Sequence, residues 1–560
     1  MRIFLLALLW NLGFCSLVFG DTSYVFFEKT QYPLTVHVLE GQEAGPTILV
    51  QGGIQGDEAS GYMTAELLGR ARVKKGRLIV IPRANLPSVH LRQRQVNVDM
   101  NRRFDQEYGK FYEDILARAV RYILKNCDGL IHLHEGSGFY SPTYVDGNKN
   151  PKRYGQSVII DTEIYKGINL GKLCRRVLAD FNPEVRPQKY AFSLFNTRTI
   201  ENSSPYLEQR KSLSYYALTQ LKIPALAIEV SKSIADLDWK VRQQLALTLA
   251  FLREMGVEAE CDVNSEVRDW FEHDVFLQIN GRTLENSATL RAGTELMVQL
   301  EARDSHAAYA VFASDRPGYD LLKGSRYLIR PFHSLDLYAD GKKIRSIAVD
   351  WQEAELDAGQ QGDFVYKLNG KTFFSPAGSI VAAREGDRLV LEGVLGSQKE
   401  EVLNVKGYVA NPPGVYNGGQ DIGVEIVLSR EMFLSRYVKK NGQRWTFRAE
   451  RETPGTKARP VVFDVRPYHS PAFVLTGGGQ KIVVYAPRSG EIELPEGEYV
   501  FEGGWAGDAD SVYCLLNGRL IQKNEKILFS ENEKNRIELV DKNSFFILSD
   551  FVFHPFRNFL

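Results

Sequence analysis

The chain has no excess of charge of either sign, since its 560 residues contain 69 Lys plus Arg and 69 Asp plus Glu. Its composition therefore gives no reason to expect binding to nucleic acid or to an anionic membrane surface. Cysteine is also scarce, with five residues and no short spacing between them. This pattern excludes a disulfide framework and a zinc ribbon. We expect mostly buried thiols, with one disulfide pair possible among the cysteines after the N-terminal segment: Cys127, Cys174, Cys261 and Cys514.

Long apolar runs are confined to the first 20 residues. Arg2 is followed by an apolar run from Ile3 to Leu9 that continues through Val18, and Gly20 precedes Asp21. This pattern is typical of a secretory signal peptide, residues 1–20, and the alternative is a membrane anchor. No later segment reaches the ~18–20 apolar residues of a spanning helix. We therefore predict a periplasmic or secreted protein without a membrane span after signal removal.

Residues 21–262 alternate between strand-like and helix-like patterns. Apolar strands separated by amphipathic helices are typical of an α/β sheet that is covered on both faces. The predicted strands are residues 47–50, 78–81, 129–132, 157–160 and 225–229, and the predicted helices are residues 59–72, 112–124, 170–180, 207–221 and 237–255.

Beyond residue 262 the long helical patterns largely stop. Alternating strands with Asn-Gly, Asp-Gly and Glu-Gly turns take over, as in all-β sandwiches of the immunoglobulin-like kind. Three stretches that end in Asn-Gly resemble one another weakly and predict an internal repeat: residues 275–281, 364–370 and 512–518. We predict two to three sandwich modules, with a working division into residues 263–354, 355–470 and 471–560.

The Gly-rich stretch 51–58 places Gln55 and Glu58 between a predicted strand and a predicted helix. Ligands of open α/β sheets gather at the carboxyl ends of strands, where this loop lies. Zinc hydrolases use two ligands at this spacing and a third from a distant strand, which leaves a position for water. The alternative is an ordinary polar strand-to-helix turn.

His132 and His134 are two residues apart on a predicted strand, so their side chains point to the same face. His134 is the better candidate for the third ligand because it lies where the strand ends. His132 can contact the substrate, or it can support the metal ligands without binding the metal itself. It can also bind the metal in place of Gln55, and the sequence leaves this alternative open.

Two further segments contain charged residues that can bind substrate or take part in catalysis. In the stretch 98–104, Asn101 and Arg102 can hold a carboxylate through an amide donor and a bidentate guanidinium, and Arg94 can reach a scissile carbonyl. The alternative for these arginines is a solvated basic surface.

Glu229 ends an otherwise apolar strand, where a carboxylate is costly unless it is paired or takes part in catalysis. There it can take a proton from water and pass it to a leaving amine.

Taken in chain order, these motifs resemble those of the zinc carboxypeptidases and of the related succinylglutamate desuccinylase/aspartoacylase group. That pattern is His-x-x-Glu, then Arg, then Asp-x-Asn-Arg-x-Phe, then a ligand histidine on a strand, then a catalytic Glu. The matching positions span roughly residues 40–260. The resemblance implies a carboxypeptidase-like mixed sheet with helices on both faces, and one zinc ion held by Gln55, Glu58 and His134.

Four features narrow the resemblance to one subfamily: the glutamine at the first ligand position, the run His-Leu-His-Glu-Gly-Ser-Gly, the signal peptide and the β modules. The chain is similar to the periplasmic peptidoglycan DL-carboxypeptidases that set helical cell shape, in which a Gln/Glu/His zinc site is the norm. This resemblance implies trimming of the murein tripeptide to the dipeptide, with release of meso-diaminopimelate. Recognition of the second amino acid end of diaminopimelate needs further polar groups, for which the candidates are His132, Arg92 and Arg198.

Two other functions are compatible with parts of the sequence. One is an N-acyl amino acid deacylase of the desuccinylase type, which the export signal disfavours. The other is a non-catalytic periplasmic scaffold with a vestigial metal site, which the retained Glu229 disfavours. We expect the β modules to pack beside the catalytic domain, to restrict access, and to bind the cell wall or other cell-shape proteins.

Overall fold

The structure is a computed structural model, and several short segments lie outside its described part. It describes residues 21–28, 30–108, 111–261, 270, 275–284, 287–302, 306–352, 362–397, 401–408, 419–468, 471–486, 489–509, 511–530, 535–542 and 547–556. The predicted signal peptide at 1–20 lies outside these residues, as do the predicted module boundaries at 262, 354 and 470. These three boundaries stay predictions.

Residues 22–260 contain a nine-stranded mixed sheet in the order β1-β2-β4-β3-β5-β8-β6-β7, with β9 paired to β4. Its strands are β1 Thr22–Phe26, β2 Leu34–Glu40, β3 Glu43–Gln51, β4 Arg72–Ile81, β5 Gly129–Gly136, β6 Ser157–Ile160, β7 Ser193–Asn196, β8 Ala225–Ser231 and β9 Glu258–Glu260. The central strands β4, β3, β5 and β8 run parallel, whereas β6 and β7 run antiparallel to β8.

Helices cover both faces of the sheet, as the alternating pattern predicts. The helices are α1 Ala59–Leu68, α2 Leu86–Leu91, α3 Tyr112–Leu124, α4 Leu170–Phe181, α5 Leu213–Tyr216 and α6 Leu237–Glu254. One apolar core joins one sheet face to α1, α4 and α6. A second core joins the opposite face to α3 and α5.

The predicted helix at 207–221 is wrong as a continuous element. The structure has a 3₁₀ helix at Leu207–Lys211, the short α5, and a π-helical turn at Ala217–Leu221. The chain breaks at Ser212, whose hydroxyl accepts a hydrogen bond from the backbone N of Tyr215 at 3.2 Å. A serine side chain that caps a new helix competes with continuation of the previous one.

The region after residue 270 consists of β-sheets that fall into three groups along the chain. Strands 275–352 form sheets of three, four and two strands, strands 364–466 form sheets of four and five, and strands 472–556 form two sheets of five. The strands of the first group are Val275–Ile279, Arg282–Thr283, Ser287–Arg291, Glu295–Leu296, Val298–Ala302, Tyr309–Ala313, Arg326–Tyr327, Ser334–Ala339 and Lys342–Gln352.

The other two groups have nine and ten strands in the described residues. Those of the second are Phe364–Leu368, Lys371–Ser375, Ile380–Arg384, Arg388–Val394, Leu403–Val405, Glu425–Val427, Lys439–Asn441, Arg444–Arg451 and Val461–Arg466. Those of the third are Ala472–Gly477, Gln480–Tyr485, Ser489–Pro495, Gly497–Ala506, Asp508–Ala509, Val512–Leu516, Arg519–Ile521, Lys526–Phe529, Arg536–Asp541 and Ile547–Phe556.

The three groups share one strand order at their start. Each opens with a hairpin, and its third strand then pairs in parallel with the last strand of the group. The opening turns are Asn280-Gly281, Asn369-Gly370 and Gly478-Gly479, all with positive φ. The predicted third repeat at 512–518 is therefore wrong, because its Asn-Gly turn joins a later hairpin in the other sheet. Asn-Gly favours any tight hairpin turn, so it marks turns rather than their place in a repeat.

The β groups pack against the N-terminal sheet and its helices through shared cores and buried polar contacts. The core beside α3 contains both Leu130 of the sheet and Phe364 of the second group. In the first group, the carboxylate of Asp340 accepts hydrogen bonds from Arg83 Nε at 2.8 Å and Arg83 Nη2 at 3.0 Å. The hydroxyl of Tyr513 in the third group accepts a hydrogen bond from the backbone N of Phe27 at 2.8 Å.

Cys127, Cys174 and Cys514 are buried and form no disulfide with one another. Burial raises the pKa of Cys127 to about 12. Within the described residues, no pair of these cysteines forms the single disulfide that the sequence left open. Within the described residues, no helix has the length and apolar character needed to cross a membrane.

Candidate active site

Except for Arg92 and Arg198, the predicted site residues lie at or near the carboxyl ends of β3, β5 and β8. Gln51 lies beside His132 in the parallel pairing of β3 with β5, and His134 lies beside Glu229 in the pairing of β5 with β8. Paired residues of neighbouring strands share one face of a sheet, so Gln51, both histidines and Glu229 project to the same side. This is the face that carries α3 and α5.

Glu58 and His134 are in direct contact, since Oε2 of Glu58 lies 2.8 Å from Nδ1 of His134. Both side chains are buried. Burial raises the pKa of Glu58 to about 8, against the opposing effect of Lys232 and Arg94. Burial also lowers the pKa of His134 to about 3, so its ring is neutral and the contact is a hydrogen bond rather than an ion pair. Neutral imidazole is the form that binds metal ions.

Gln55 is held by Asp99, a residue of the 98–104 stretch. Its Nε2 donates hydrogen bonds to the two carboxylate oxygens of Asp99 at 3.1 and 3.3 Å. The amide nitrogen is thereby occupied, and Oε1 is the atom left to act as a ligand. Asp99 also caps the 3₁₀ helix Met100–Arg102 by accepting from the backbone N of Asn101 at 3.0 Å.

The predicted oxyanion and carboxylate residues lie next to this pair. Nη2 of Arg94 donates to Asp99 at 2.9 Å, and its Nη1 is 3.9 Å from Oε1 of Glu58. Oδ1 of Asn101 accepts from the backbone N of Leu213 at 3.1 Å, so its Nδ2 is the part left for a carboxylate. The carbonyl oxygen of Asn101 in turn accepts from Nη1 of Arg102 at 2.8 Å.

Glu229 and His132 carry polar atoms without hydrogen-bond partners in the described structure: Oε2 of Glu229 and Nε2 of His132. Burial, and then the charge of Glu58, raises the pKa of Glu229 well above its ordinary value. A Cβ added at Gly136 would lie 2.8 Å from Oε2 of Glu229, so the missing side chain makes room for this carboxylate. Buried polar atoms without partners are rare and mark places where a ligand or substrate binds.

Several residues that support the site were not predicted from the sequence. Nε2 of Gln244, on α6, donates to the carbonyl oxygen of His134 at 2.9 Å and fixes the end of β5. The carboxylate of Glu135 accepts from the backbone N of Ser60 at 2.6 Å and from Nζ of Lys240 at 2.8 Å. Polar residues at buried helix positions are the one sequence signal that points to Gln244 and Lys240, and that signal does not identify their partners.

Arg92 and Arg198, predicted to bind substrate, lie apart from these residues. Arg92 follows α2 in a left-handed conformation and lies against the Asp340–Gly341 turn of the first β group. Arg198 is exposed and follows the carboxyl end of β7, at the edge of the sheet opposite the ends of β5 and β8.

The donor atoms fit a divalent zinc ion. An amide oxygen, a carboxylate oxygen and an imidazole nitrogen are accepted zinc ligands, and atoms bound to one ion at about 2.0–2.2 Å lie about 3 Å apart, as Glu58 and His134 do. No three His, Cys, Asp or Glu side chains are grouped for metal binding in the described residues.

A family model described as the catalytic domain of carboxypeptidases controlling helical cell shape matches residues 2–271. This match favours the carboxypeptidase prediction over the deacylase and scaffold alternatives. No curated protein matches the chain.

Among solved structures, the chain is similar to the cell-shape determinant protein Csd4 of Helicobacter pylori bound to a tripeptide. The two are 21% identical, with a TM-score of 0.46 over 78% of this chain and 100% of that one. The mDAP-bound form of the same protein, titled a D,L-carboxypeptidase, is 22% identical, with a TM-score of 0.45 over 75% and 96%. A succinylglutamate desuccinylase/aspartoacylase from Rhodobacter sphaeroides is 17% identical, with a TM-score of 0.30 over 50% and 82%.

Proposed function

Because a family model of carboxypeptidases controlling helical cell shape matches residues 2–271, we propose that the chain is a zinc-dependent enzyme that trims peptidoglycan stem peptides. Its substrate is the murein tripeptide, and its products are the dipeptide and meso-diaminopimelate. The observation that carries this proposal is the pairing of Glu229 with His134, directly beside the contact of His134 with Glu58. The periplasm, where these peptides are exposed, is its proposed location.

Gln55, Glu58 and His134 would hold one zinc ion. When bound, the ion supplies Lewis acidity toward the scissile carbonyl and acidifies water. Asp99 directs the Gln55 amide so that its oxygen faces the site, and the carbonyl contact with Gln244 fixes His134. Such supporting contacts keep ligands in place before the ion binds.

Glu229 would act as the general base and then as the general acid. Its unpartnered Oε2 lies on the same face as the ligands and in register with His134. From there it can accept the proton of the attacking water and deliver it to the nitrogen of the leaving residue. Its Oε2 atom is buried, which keeps bulk water from competing for this proton transfer.

Arg94 and Arg102 would bind different negatively charged groups of the substrate. Arg94 is half exposed and tied to Asp99, which leaves its guanidinium at the mouth of the site to stabilise the oxyanion. The Nδ2 group of Asn101 and the guanidinium of Arg102 would bind the C-terminal carboxylate of the stem, since both are joined in one 3₁₀ turn. His132, with its unpartnered Nε2, would face the residue that is released.

The β modules would restrict access to the site, and would dock the enzyme to the sacculus or to other cell-shape proteins. Their support of the catalytic half through a shared core is compatible with both roles. Every residue assigned to the chemistry lies before Met255.

The test is incubation of the full-length protein with tri-, tetra- and pentapeptide muropeptides, with and without a chelator, followed by mass spectrometry. We expect loss of diaminopimelate from the tripeptide, which stops with chelator and returns with zinc. Glu229→Gln is the matched inactive control, because it keeps the shape of the side chain and removes the base. Release of an N-acyl group, with intact stems, would instead indicate a deacylase. No turnover of any substrate by zinc-loaded protein would support the scaffold.

A further inference from the structure

Glu58 is the residue at which α1 begins, and it is also a predicted zinc ligand. A residue at this N-cap position ordinarily turns its side chain back to accept a hydrogen bond from the first N–H groups of the helix. In the described structure the Glu58 carboxylate makes no such bond. It is turned toward β5, where its Oε2 lies 2.8 Å from Nδ1 of His134 and accepts from the backbone N of Glu135 at 3.2 Å. The start of α1 therefore needs an acceptor from another element.

Glu135, the residue after His134, supplies this acceptor from the neighbouring strand. Successive residues of a strand point to opposite faces, so Glu135 projects toward α1 and α6 while His134 projects into the site. Oε1 of Glu135 accepts from the backbone N of Ser60, in the first turn of α1, at 2.6 Å. That turn contains no acidic residue of its own, and a carboxylate is favourable there because a helix N-terminus carries partial positive charge. Glu135 thus caps α1 in place of Glu58.

Lys240 of α6 compensates the charge of Glu135. Its Nζ is 2.8 Å from Oε2 of Glu135, and the two side chains are 9% and 3% exposed. A buried ion pair adds little to stability, because desolvation of both charges offsets their attraction, and an apolar pair of similar volume often replaces it without loss. The position of this pair directly behind two predicted ligands points to an orienting role.

α1 and β5 approach each other closely at this point. A Cβ added at Gly61 would lie 2.9 Å from the carbonyl oxygen of Leu133, so the glycine permits the approach. Together with the bond from Glu135 to the first turn, this contact fixes where α1 begins along β5. Because Glu58 stands at that beginning, its carboxylate is fixed relative to His134.

We propose that Glu135, held by Lys240, is a positioning residue for the zinc site. By capping α1 it leaves the Glu58 carboxylate free for the metal ion and sets the place of that carboxylate beside His134. This inference rests on the zinc site of the proposed function and assigns the contact that preorganises it. Ligands that are held in place before the ion binds lose less freedom on binding, which raises the affinity for zinc.

The test compares two double variants of the full-length protein. Glu135→Gln with Lys240→Met keeps an oxygen acceptor for the N–H of Ser60 and leaves no unpaired charge. Glu135→Met with Lys240→Met removes the acceptor as well and fills the space with apolar side chains. Competition titration with a chromophoric chelator measures zinc affinity, and thermal unfolding of the metal-free protein measures stability.

We expect the methionine pair to weaken zinc binding by roughly 10- to 100-fold, the usual effect of losing a contact that orients a ligand. The glutamine variant should stay within about threefold of wild type, because the acceptor is restored. Both variants should unfold near the Tm of wild type, since the ion pair adds little to stability. A purely structural role would change the Tm and leave the zinc affinity in place.

The matched control is the buried ion pair of Glu392 and Arg316, between the first and second β groups. Its replacement by two methionines should leave zinc affinity unchanged. If the methionine pair at Glu135 and Lys240 does not fold, Glu135→Asp keeps the charge for Lys240. It is shorter by one carbon–carbon bond of about 1.5 Å, and it should weaken zinc binding by roughly 10-fold.

Equal zinc affinity of the two double variants overturns the assignment, because the acceptor for α1 is their difference. Weakening of the same size in the control pair, or a Glu135→Asp variant that binds zinc like wild type, overturns it as well. A wild type that binds no zinc overturns the zinc site of the proposed function and this inference with it. A wild type that binds zinc supports that site whatever the variants do.

Discussion

Asp99 accepts two hydrogen bonds from Nε2 of Gln55, at 3.1 and 3.3 Å, and so decides which end of the amide faces the site. A histidine ligand has a nitrogen on either side of its ring, whereas an amide binds zinc only through its oxygen. The orientation of Gln55 is therefore as important as its presence.

Asp99→Asn should weaken zinc binding by roughly 10- to 100-fold, the usual cost of removing a contact that orients a ligand. Asparagine can donate as well as accept, so it no longer fixes the amide of Gln55. Competition titration with a chromophoric chelator measures this change. Asp105→Asn, on the same segment and bonded only to Tyr108 in the described structure, is the control and should bind zinc like wild type. Equal affinity of both variants would show that Asp99 does not orient the ligand.

The ligand set itself is tested by three substitutions. Gln55→His should retain or tighten zinc binding, because imidazole is the stronger donor. His134→Ala should lose the ion, and His132→Ala should keep it. Metal content after dialysis, measured by atomic emission, separates these cases. Loss of zinc from His132→Ala, with retention in Gln55→Ala, would transfer the third ligand to His132.

Arg94 and Arg102 should differ in kinetics. Arg102→Ala should mainly raise KM, because the carboxylate is held in ground state and transition state alike. Arg94→Ala should mainly lower kcat, by a barrier increase of roughly 3–4 kcal/mol for one lost oxyanion donor. A stem that is amidated at its terminal carboxylate should be a poor substrate. Equal cleavage of the free and amidated stems would rule out an anchor built on Asn101 and Arg102.

Glu113 should make stability depend on pH. It is fully buried on α3, and its carboxylate accepts from the backbone N of Asn97 at 2.8 Å, which fixes the loop that carries Arg94 and Asp99. Burial raises its pKa from 4.5 to about 7. The folded state therefore holds the proton more tightly than the unfolded state, so its contribution is present below about pH 4.5 and is lost as pH rises through about 7.

The expected loss is about 3 kcal/mol between pH 4 and pH 8. Glu113→Gln should remove this component, so the Tm of wild type should fall more than that of the variant over this range. Thermal unfolding at several pH values measures the difference. Parallel pH profiles for the two proteins would show that Glu113 does not titrate on unfolding.

A chain that ends near residue 262 should retain the zinc ligands and lose solubility. The core beside α3 is completed by apolar residues of the second and third β groups, among them Phe364 and Leu515, and their removal exposes that surface. Light scattering and zinc content of the truncated chain check this expectation. A soluble, folded, zinc-bound truncated chain that is inert toward stem peptides would show that the β groups contribute to the active site.

The position of a candidate residue can be predicted from the sequence where a local strand pattern fixes it. His134 and Glu229 end apolar strands, so strand periodicity gave both their face and their edge. The role of Asp99 was not predictable, because it depends on the rotation of one amide. Arg92 and Arg198 are predicted from their charge alone. Because β6 and β7 run antiparallel to β8, Arg198 lies at the opposite edge of the sheet. The packing of each β group against a particular core also could not be predicted, because it depends on contacts between residues far apart in the sequence.

The shared core beside α3 also has a consequence for the order of folding. Its residues run from Phe26 to Val540, and the hydrogen bond from Phe27 to Tyr513 closes a loop of 486 residues. Contacts of such separation form late, after the intervening chain has been synthesised. Although α3 and α5 cover this face of the sheet early, part of their shared core therefore stays exposed to solvent until nearly the whole chain is present, which places completion of the core that supports the candidate site at the last stage of assembly.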